Sequence, residues 1–140
     1  MSQPLYTAEI LRLAASLDDP QTLEREDGRA DVQSRTCGSR ISLTVQLDDE
    51  RRVERLSIKV HACAFGQASA ALLARHSPGR THHEVSDAMV ALSRWLTDER
   101  AKPAAWPGIA ALAPARTKRA RHGAILLPFR ALLAAIEAAR

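Results

Sequence analysis

Two stretches near the middle of the chain alternate strictly between apolar and polar residues. In "RISLTVQL", residues 40–47, every second residue is aliphatic, and "VERLSIKVHA", residues 53–62, repeats the pattern. Alternation with a period of two predicts strands with one buried face. The short charged segment "DDERR" between them predicts an antiparallel hairpin. The polar stretch before them, centred on Gly28, is interpreted as a loop or a poorly patterned edge strand.

Apolar residues at helical spacing mark most of the remaining chain. A first helix is predicted over residues 4–17, and a second, rich in small residues, from Phe65 to the breaker "SPGR". The segment "THHEVSDAMVALSRWLTDE" begins with a Thr three residues before a Glu, which is a capping-box pattern and predicts a third helix. The last helix, "PFRALLAAIEAAR", is predicted to start at Pro128, with a helix begun near Gly123 and kinked at the proline as the alternative.

Strands grouped between helices predict an α+β fold in which a small antiparallel sheet of about three strands packs against several helices. A length of 140 residues fits one domain over residues 1–140. No stretch reaches the roughly 18 apolar residues of a membrane span, and the first residues lack the pattern of a signal peptide. We therefore expect a cytoplasmic protein with no membrane association.

Positive charge is concentrated near the end of the chain. Residues 101–140 hold seven Lys and Arg residues and one acidic residue, and the cluster "ARTKRARH" spans residues 115–122. Such a cluster is typical of a surface for an acidic partner or nucleic acid, or of a solvated loop. The absence of interleaved aromatic residues argues against nucleic acid. The candidate partner-binding residues are Arg116, Lys118, Arg119 and Arg121.

One of the two cysteines, Cys63, falls where the second predicted strand ends and the small-residue helix begins. A thiol near a helix N-terminus is favoured as a nucleophile or metal ligand, whereas the alternative is a small buried cysteine that packs like alanine. If the strand geometry continues, His61 and Cys63 project from the same face. Hairpin closure would bring Cys37, just before the paired strand, to the same end of the sheet.

The segments "TCGSRISLTVQL" and "CAFGQASAALLA" resemble those of the U-type iron-sulfur cluster assembly scaffolds IscU, SufU and the N-terminal domain of NifU. The resemblance implies the fold of that family and a non-enzymatic scaffold function. It also implies a bound iron-sulfur cluster or zinc ion, with a cysteine desulfurase and cluster-acceptor proteins as partners. Cys37 and Cys63 match the first two ligand cysteines of the family, which also accept sulfur. The "PAR-K" part of "APARTKRARHG" is similar to the SufU segment before the third cysteine.

The chain departs from the family pattern at two places. Ser39 stands where the family has Asp, and His122-Gly123 stands where the third cysteine belongs, so no third cysteine exists. His122 is either a retained ligand or a solvated side chain. With His61 as a speculative fourth donor, the thiols and imidazoles would form a Cys2His2 set, which suits zinc or a Rieske-like cluster.

The missing donors leave a second interpretation open. In it, the chain is a degenerate member of the family that acts as a protein-interaction module without bound metal. His82 and His83 point to different sides of the third helix and are interpreted as surface residues. No nucleophile elbow, Walker loop or dinucleotide fingerprint occurs, so we do not expect an enzyme.

Overall fold

The computed structural model describes residues 6–35 and 38–139. Three antiparallel strands form one sheet in the order β1-β2-β3: β1 (Gly28–Gln33), β2 (Arg40–Leu47) and β3 (Val53–His61). The helices are α1 (Ala8–Ala15), α2 (Ala64–His76), α3 (His82–Thr97) and α4 (Arg119–Ala138), with a 3₁₀ helix at Ile109–Ala115. The predicted α+β class is confirmed. Of the described helices, none is both long and apolar enough to span a membrane.

The hairpin follows from the alternation in the sequence. Ile41, Leu43 and Val45 are buried on the inner face of β2, and the register sets Arg40 opposite His61. The ambiguous segment before the hairpin is an edge strand, because β1 pairs with β2 from Gly28 to Gln33. Since Arg40 also lies opposite Gln33, the strand ends form one row across the sheet.

Helix α1 is shorter than predicted. It begins at Ala8 because the Thr7 hydroxyl accepts a hydrogen bond from the Ile10 amide at 3.1 Å, which caps the helix. Helix α3 begins as predicted, with both hydrogen bonds of the capping box between Thr81 and Glu84.

Of the two predicted starts of the last helix, the one at Pro128 is wrong, and a helix that begins before the proline is found. Helix α4 begins at Arg119, four residues earlier than Gly123 and inside the basic cluster, and Pro128 lies in its interior. A proline there removes one backbone hydrogen bond and obstructs the carbonyl four residues earlier. The helix continues because it buries apolar side chains on both sides of the proline, including Ile125 and Phe129. The buried Ser69 hydroxyl also donates to the Ile125 carbonyl at 2.6 Å.

Glycine allows α2 and α4 to approach closely. A Cβ atom at Gly66 would lie 2.7 Å from the Cβ of Ala62 and 3.3 Å from the Cβ of Ala124. These distances are shorter than normal van der Waals contacts, so only glycine fits. The N-terminal ends of α2 and α4 consequently meet beside the row of strand ends.

A loop covers the opposite end of the outward sheet face. The Gln21 amide donates to the Ser57 hydroxyl at 2.8 Å, and the Arg25 amide donates to the Gln46 side chain at 3.2 Å. The alternation in residues 40–47 predicts Gln46 on the polar face, yet this loop buries it. Near the strand-end row, by contrast, Arg40 and Lys59 are exposed.

Both tryptophans belong to the core. Trp95 and Trp106 are each 2% exposed. The Trp106 indole donates to the Leu72 carbonyl at 2.9 Å and packs edge-on against Phe129, with ring centroids 5.2 Å apart.

Candidate functional site

A cleft of about 330 Å³ lies where the N-terminal ends of α2 and α4 meet the strand-end row. Three parts of the chain line it: the segment before β2, the junction of β3 with α2, and the first turns of α4. The residues that line it include Ser39, His61, Cys63, Gln67, Ala120 and Arg121.

Cys63 is the N-cap residue of α2. Its backbone is extended, with φ −66° and ψ 172°, and its side chain makes no capping hydrogen bond. The thiol is half-buried, and within residues 6–35 and 38–139 no hydrogen bond to it is described. A thiol at a helix N-terminus, open to a cleft and free of a competing partner, is available as a nucleophile or ligand.

His61 shares this cleft with Cys63, although not through strand geometry. Strand β3 ends at His61 and the chain bends at Ala62, so the alternation does not extend to Cys63. The bend nevertheless leaves the exposed imidazole and the thiol lining the same cleft.

Cys37 lies outside the described residues. Gly38, which follows it directly in the sequence, lines the cleft together with Ser39. Gly38 has φ 71°, a left-handed conformation that glycine adopts without strain. The convergence of Cys37 with Cys63 therefore stays a prediction, and Ser39 is the residue found where the family has its Asp.

His122 lines a different cleft, of about 510 Å³, together with Arg119 and Thr117. Helix residues turn by about 100° each, so His122 lies roughly 150° around α4 from the face that borders the Cys63 cleft. Its Nε2 lies 2.9 Å from the Ala115 carbonyl and 3.2 Å from the Arg116 carbonyl. Since carbonyl oxygens only accept, Nε2 carries the proton. The structure does not bring His122 together with Cys63, and its role as a ligand stays a prediction.

The four basic candidates divide into two groups. The Arg116 guanidinium donates to the Trp95 carbonyl at 2.8 Å and the Asp98 carbonyl at 2.7 Å, and it stacks 4.9 Å from the Trp95 ring. Arg116 thus joins the 3₁₀ helix to α3. Lys118 and Arg119 are exposed at the start of α4, and Arg121 lines the Cys63 cleft.

The described residues offer a small donor set. Among them, no group of three or more His, Cys, Asp or Glu side chains is arranged to hold a metal ion. His61 and Cys63 are the donors that line the Cys63 cleft. Outside this cleft, the His82 imidazole lies 2.9 Å from Glu137, and His83 lies 3.3 Å from Asp87, so both interact with surface carboxylates.

Sequence reasoning missed Gln67 as a residue of the cleft. Its side-chain amide donates to the Ala62 carbonyl at 3.1 Å and so fixes the bend before Cys63. The signal was present, because Gln67 follows Cys63 by four residues, the spacing that puts two side chains on one helix face.

Comparisons with known proteins agree with this architecture. The model of the family described as the NifU-like N terminal domain matches residues 5–101. A crystal structure of a nitrogen-fixing NifU-like protein (N-terminal) from Brucella abortus is 30% identical, with a TM-score of 0.85 over 95% of this chain and 92% of that one. No match was found among curated proteins.

A second solved structure supports the fold alone, because its sequence identity is lower. It is a putative iron-sulfur cluster assembly scaffold protein for the SUF system from Fervidobacterium islandicum AW-1, 19% identical, with a TM-score of 0.79 over 94% of this chain and 96% of that one. The family match covers more than half of the chain, and the Brucella relative is similar along nearly all of it. The chain therefore belongs to the NifU-like N-terminal domain family.

Proposed function

We propose that this chain is a scaffold-like protein of iron-sulfur cluster assembly that accepts sulfur at Cys63 and Cys37. Membership of the NifU-like family supports this class of function. The observation that carries the proposal is the state of Cys63, a half-buried thiol at the N-terminus of α2 that faces a cleft and has no described hydrogen-bond partner. Cys63 packs partly against the hydrophobic core, whereas a purely structural cysteine would be fully buried there like alanine.

The sulfur donor in this proposal is the persulfide of a cysteine desulfurase. The Cys63 thiolate attacks the terminal sulfur of that persulfide, the donor's S–S bond breaks, and the donor cysteine leaves as a thiolate. Cys63 then carries the persulfide. One S–S bond forms as another breaks, so the transfer needs no added oxidant or reductant. Cluster-acceptor proteins are the partners for the subsequent release.

The cargo would be an iron-sulfur cluster or a zinc ion. Cys37 and Cys63 supply two thiolates, and His61 supplies an imidazole from the same cleft. A tetrahedral metal requires four donors, so this set leaves one position for solvent or a partner's ligand. His122 would serve only if its Nδ1 were the ligand or if the start of α4 moved, because Nε2 is bonded to the Ala115 carbonyl.

A second candidate function is a protein-interaction module without metal. The small donor set among the described residues favours it, as does Ser39, which is a poor ligand where the family has Asp. In this case the fold and the surface near Cys63 would bind a desulfurase or another partner, and the thiols would take no part.

Metal and acid-labile sulfide analysis of protein purified without oxygen tests these candidates. We expect a stoichiometric amount of zinc or cluster in the wild type and its loss in both Cys63→Ala and Cys37→Ala. His83→Ala is the matched control, because it removes an exposed imidazole outside the cleft. Full metal in both cysteine variants would contradict the first proposal. A wild type that stays metal-free after supply of iron and sulfide, with desulfurase binding unchanged in the double cysteine variant, would establish the second.

A further inference from the structure

Cations from separate parts of the chain surround the Cys63 cleft. On the outward face of the sheet, Arg40 lies opposite His61, and Lys59 lies two residues before His61 on the same face of β3. The start of α4 adds two more cations: Lys118, its N-cap residue, and Arg121, which lines the cleft. Arg119 lines the neighbouring cleft with His122 and does not belong to this group. We define the cationic rim as Arg40, Lys59, Lys118 and Arg121.

The charge of this rim is not neutralised within the part of the chain that the structure describes. Three of its four side chains are exposed and Arg121 is half-buried, and no ion pair or side-chain hydrogen bond is described for any of them. Arg25, Arg29 and Arg52, away from the cleft, do have carboxylate partners. Such a concentration of free charge raises the electrostatic potential at the cleft.

The nearest carboxylate on the sheet does not compensate the rim. Asp31 shares a row with Ser42 and Lys59, but it accepts a hydrogen bond from the Ser42 hydroxyl and lies 3.5 Å from the Arg29 guanidinium. Its charge is therefore already paired with Arg29 on the same strand.

The rim lacks the aromatic platform on which proteins stack the bases of single-stranded nucleic acid. The aromatic rings of the described chain are packed in the core, and Tyr6, the least buried of them, stacks on Phe65 with centroids 5.2 Å apart. No Phe, Tyr or Trp ring is left at the rim to stack on a base. Carboxylates on a protein surface satisfy exposed Lys and Arg side chains without any such platform.

We propose that the cationic rim docks a carboxylate-rich protein surface and holds it over the Cys63 cleft. The inference rests on the proposed function only for the identity of the partner, the sulfur donor. The rim attracts the partner over long range and so acts mainly on the association rate. Because three of the four rim side chains are exposed, salt screens this attraction.

Charge reversal at two exposed rim residues tests the rim. The variant is Lys59→Glu with Lys118→Glu, one residue on β3 and one at the start of α4, and neither has a described ion pair to lose. The matched control is Arg55→Glu with Arg130→Glu, two exposed sites outside the rim that give the same net charge. The measured quantity is the rate constant for association with the cysteine desulfurase of the source organism, at low and at physiological salt.

We expect the rim variant to associate at least about tenfold more slowly than the control at low salt, and the wild type to slow as salt rises. Sulfur acceptance from a small-molecule persulfide stays unchanged in the rim variant, which separates docking from thiol chemistry. Equal loss in the rim variant and the control would overturn the inference, since net charge alone would then explain the result.

Failure of the desulfurase to associate with the wild type would refute the proposed function. The rim would then be tested separately, with small acidic ligands. Decaglutamate and a single-stranded DNA of equal charge would then be titrated into isotope-labelled protein. Shifts confined to rim amides on adding decaglutamate support an acidic protein partner. Tighter binding of the DNA, or no rim shifts with either probe, overturns it.

Discussion

At the scale of single residues, Cys63 and His122 differ in the hydrogen bonds that their side chains already make. The Cys63 thiol caps no backbone group and faces a cleft, so it is available for chemistry. The His122 Nε2 already donates to the carbonyls of Ala115 and Arg116, and a buried donor that loses its partners costs about 1–3 kcal/mol. The two side chains are therefore not equivalent candidates, although both stand at family-like positions.

A third thiol on the cleft face of α4 should strengthen metal binding. Ala120 is exposed and lines the Cys63 cleft, so Ala120→Cys adds a donor there. We expect zinc affinity to rise by roughly 100-fold, since four ligands together contribute about 10–16 kcal/mol in structural zinc sites. Competition with a zinc chelator measures it. Thr117→Cys, in the neighbouring cleft, is the control, and equal affinity of the two variants would show that Ala120 does not face the site.

Arg116 is expected to act on stability and not on partner binding. Its guanidinium makes two hydrogen bonds to backbone carbonyls and stacks on Trp95, so Arg116→Ala should lower the free energy of unfolding by about 2 kcal/mol. Lys118→Ala, which removes an exposed charge, should change it by less than about 0.5 kcal/mol. Urea denaturation of both variants measures the difference. The reverse order of the two losses would contradict the assignment.

At the scale of helices and strands, α4 organises the site. Its C-terminal half packs on β1 so closely that a Cβ atom at Gly28 would overlap the Ala135 carbonyl oxygen. Its N-terminal half packs on α2 at Gly66 and carries Arg121 into the Cys63 cleft. The position of the cleft face thus depends on contacts at both ends of one helix.

Gly28→Ala should destabilise the protein and disturb the site at the far end of α4. The added methyl group cannot be accommodated by a side-chain rotation, because it meets backbone atoms of Ala135 and Ala139. We expect a loss of at least about 1–3 kcal/mol in the free energy of unfolding. Arg29→Ala, which breaks an exposed ion pair next to it, should cost less than about 1 kcal/mol. Equal losses would mean that α4 is not held at Gly28.

At the scale of the whole molecule, sequence patterns correctly predicted the strands and helices that short-range interactions determine. The alternation in residues 40–47 and the capping box at Thr81 produced the expected strand and helix. The start of α4 was not predictable from Pro128. The free-energy cost of a proline inside a helix is outweighed by the burial of apolar side chains along α4, and this burial depends on tertiary packing. The cleft was predictable as far as Cys63 and His61, whereas the direction of His122 depends on where α4 begins.

The pH dependence of stability is another property of the folded molecule. Burial, followed by the charges of Arg75 and Arg80, lowers the pKa of His76 from its ordinary value of 6.5. The neutral form is favoured in the folded state, so its stabilisation is present above the unfolded pKa and is lost as pH falls through the folded pKa. We expect His76→Gln to lose less stability than the wild type between neutral pH and the acidic range below 6.5. The measurement is the midpoint temperature of thermal unfolding at several pH values. The same decrease in this temperature for the wild type and for His76→Gln would contradict the prediction.

The most direct test of the account is to map sulfur on the two cysteines after reaction with a cysteine desulfurase and free cysteine. Wild type, Cys37→Ala and Cys63→Ala are trapped with an alkylating reagent and digested, and the cysteine-bearing peptides are analysed by mass spectrometry. We predict an added sulfur atom on Cys63 in the wild type and in Cys37→Ala, because the thiol lines an accessible cleft. An unmodified Cys63 in both proteins, with the desulfurase active and bound, would contradict the claim that this cleft receives sulfur.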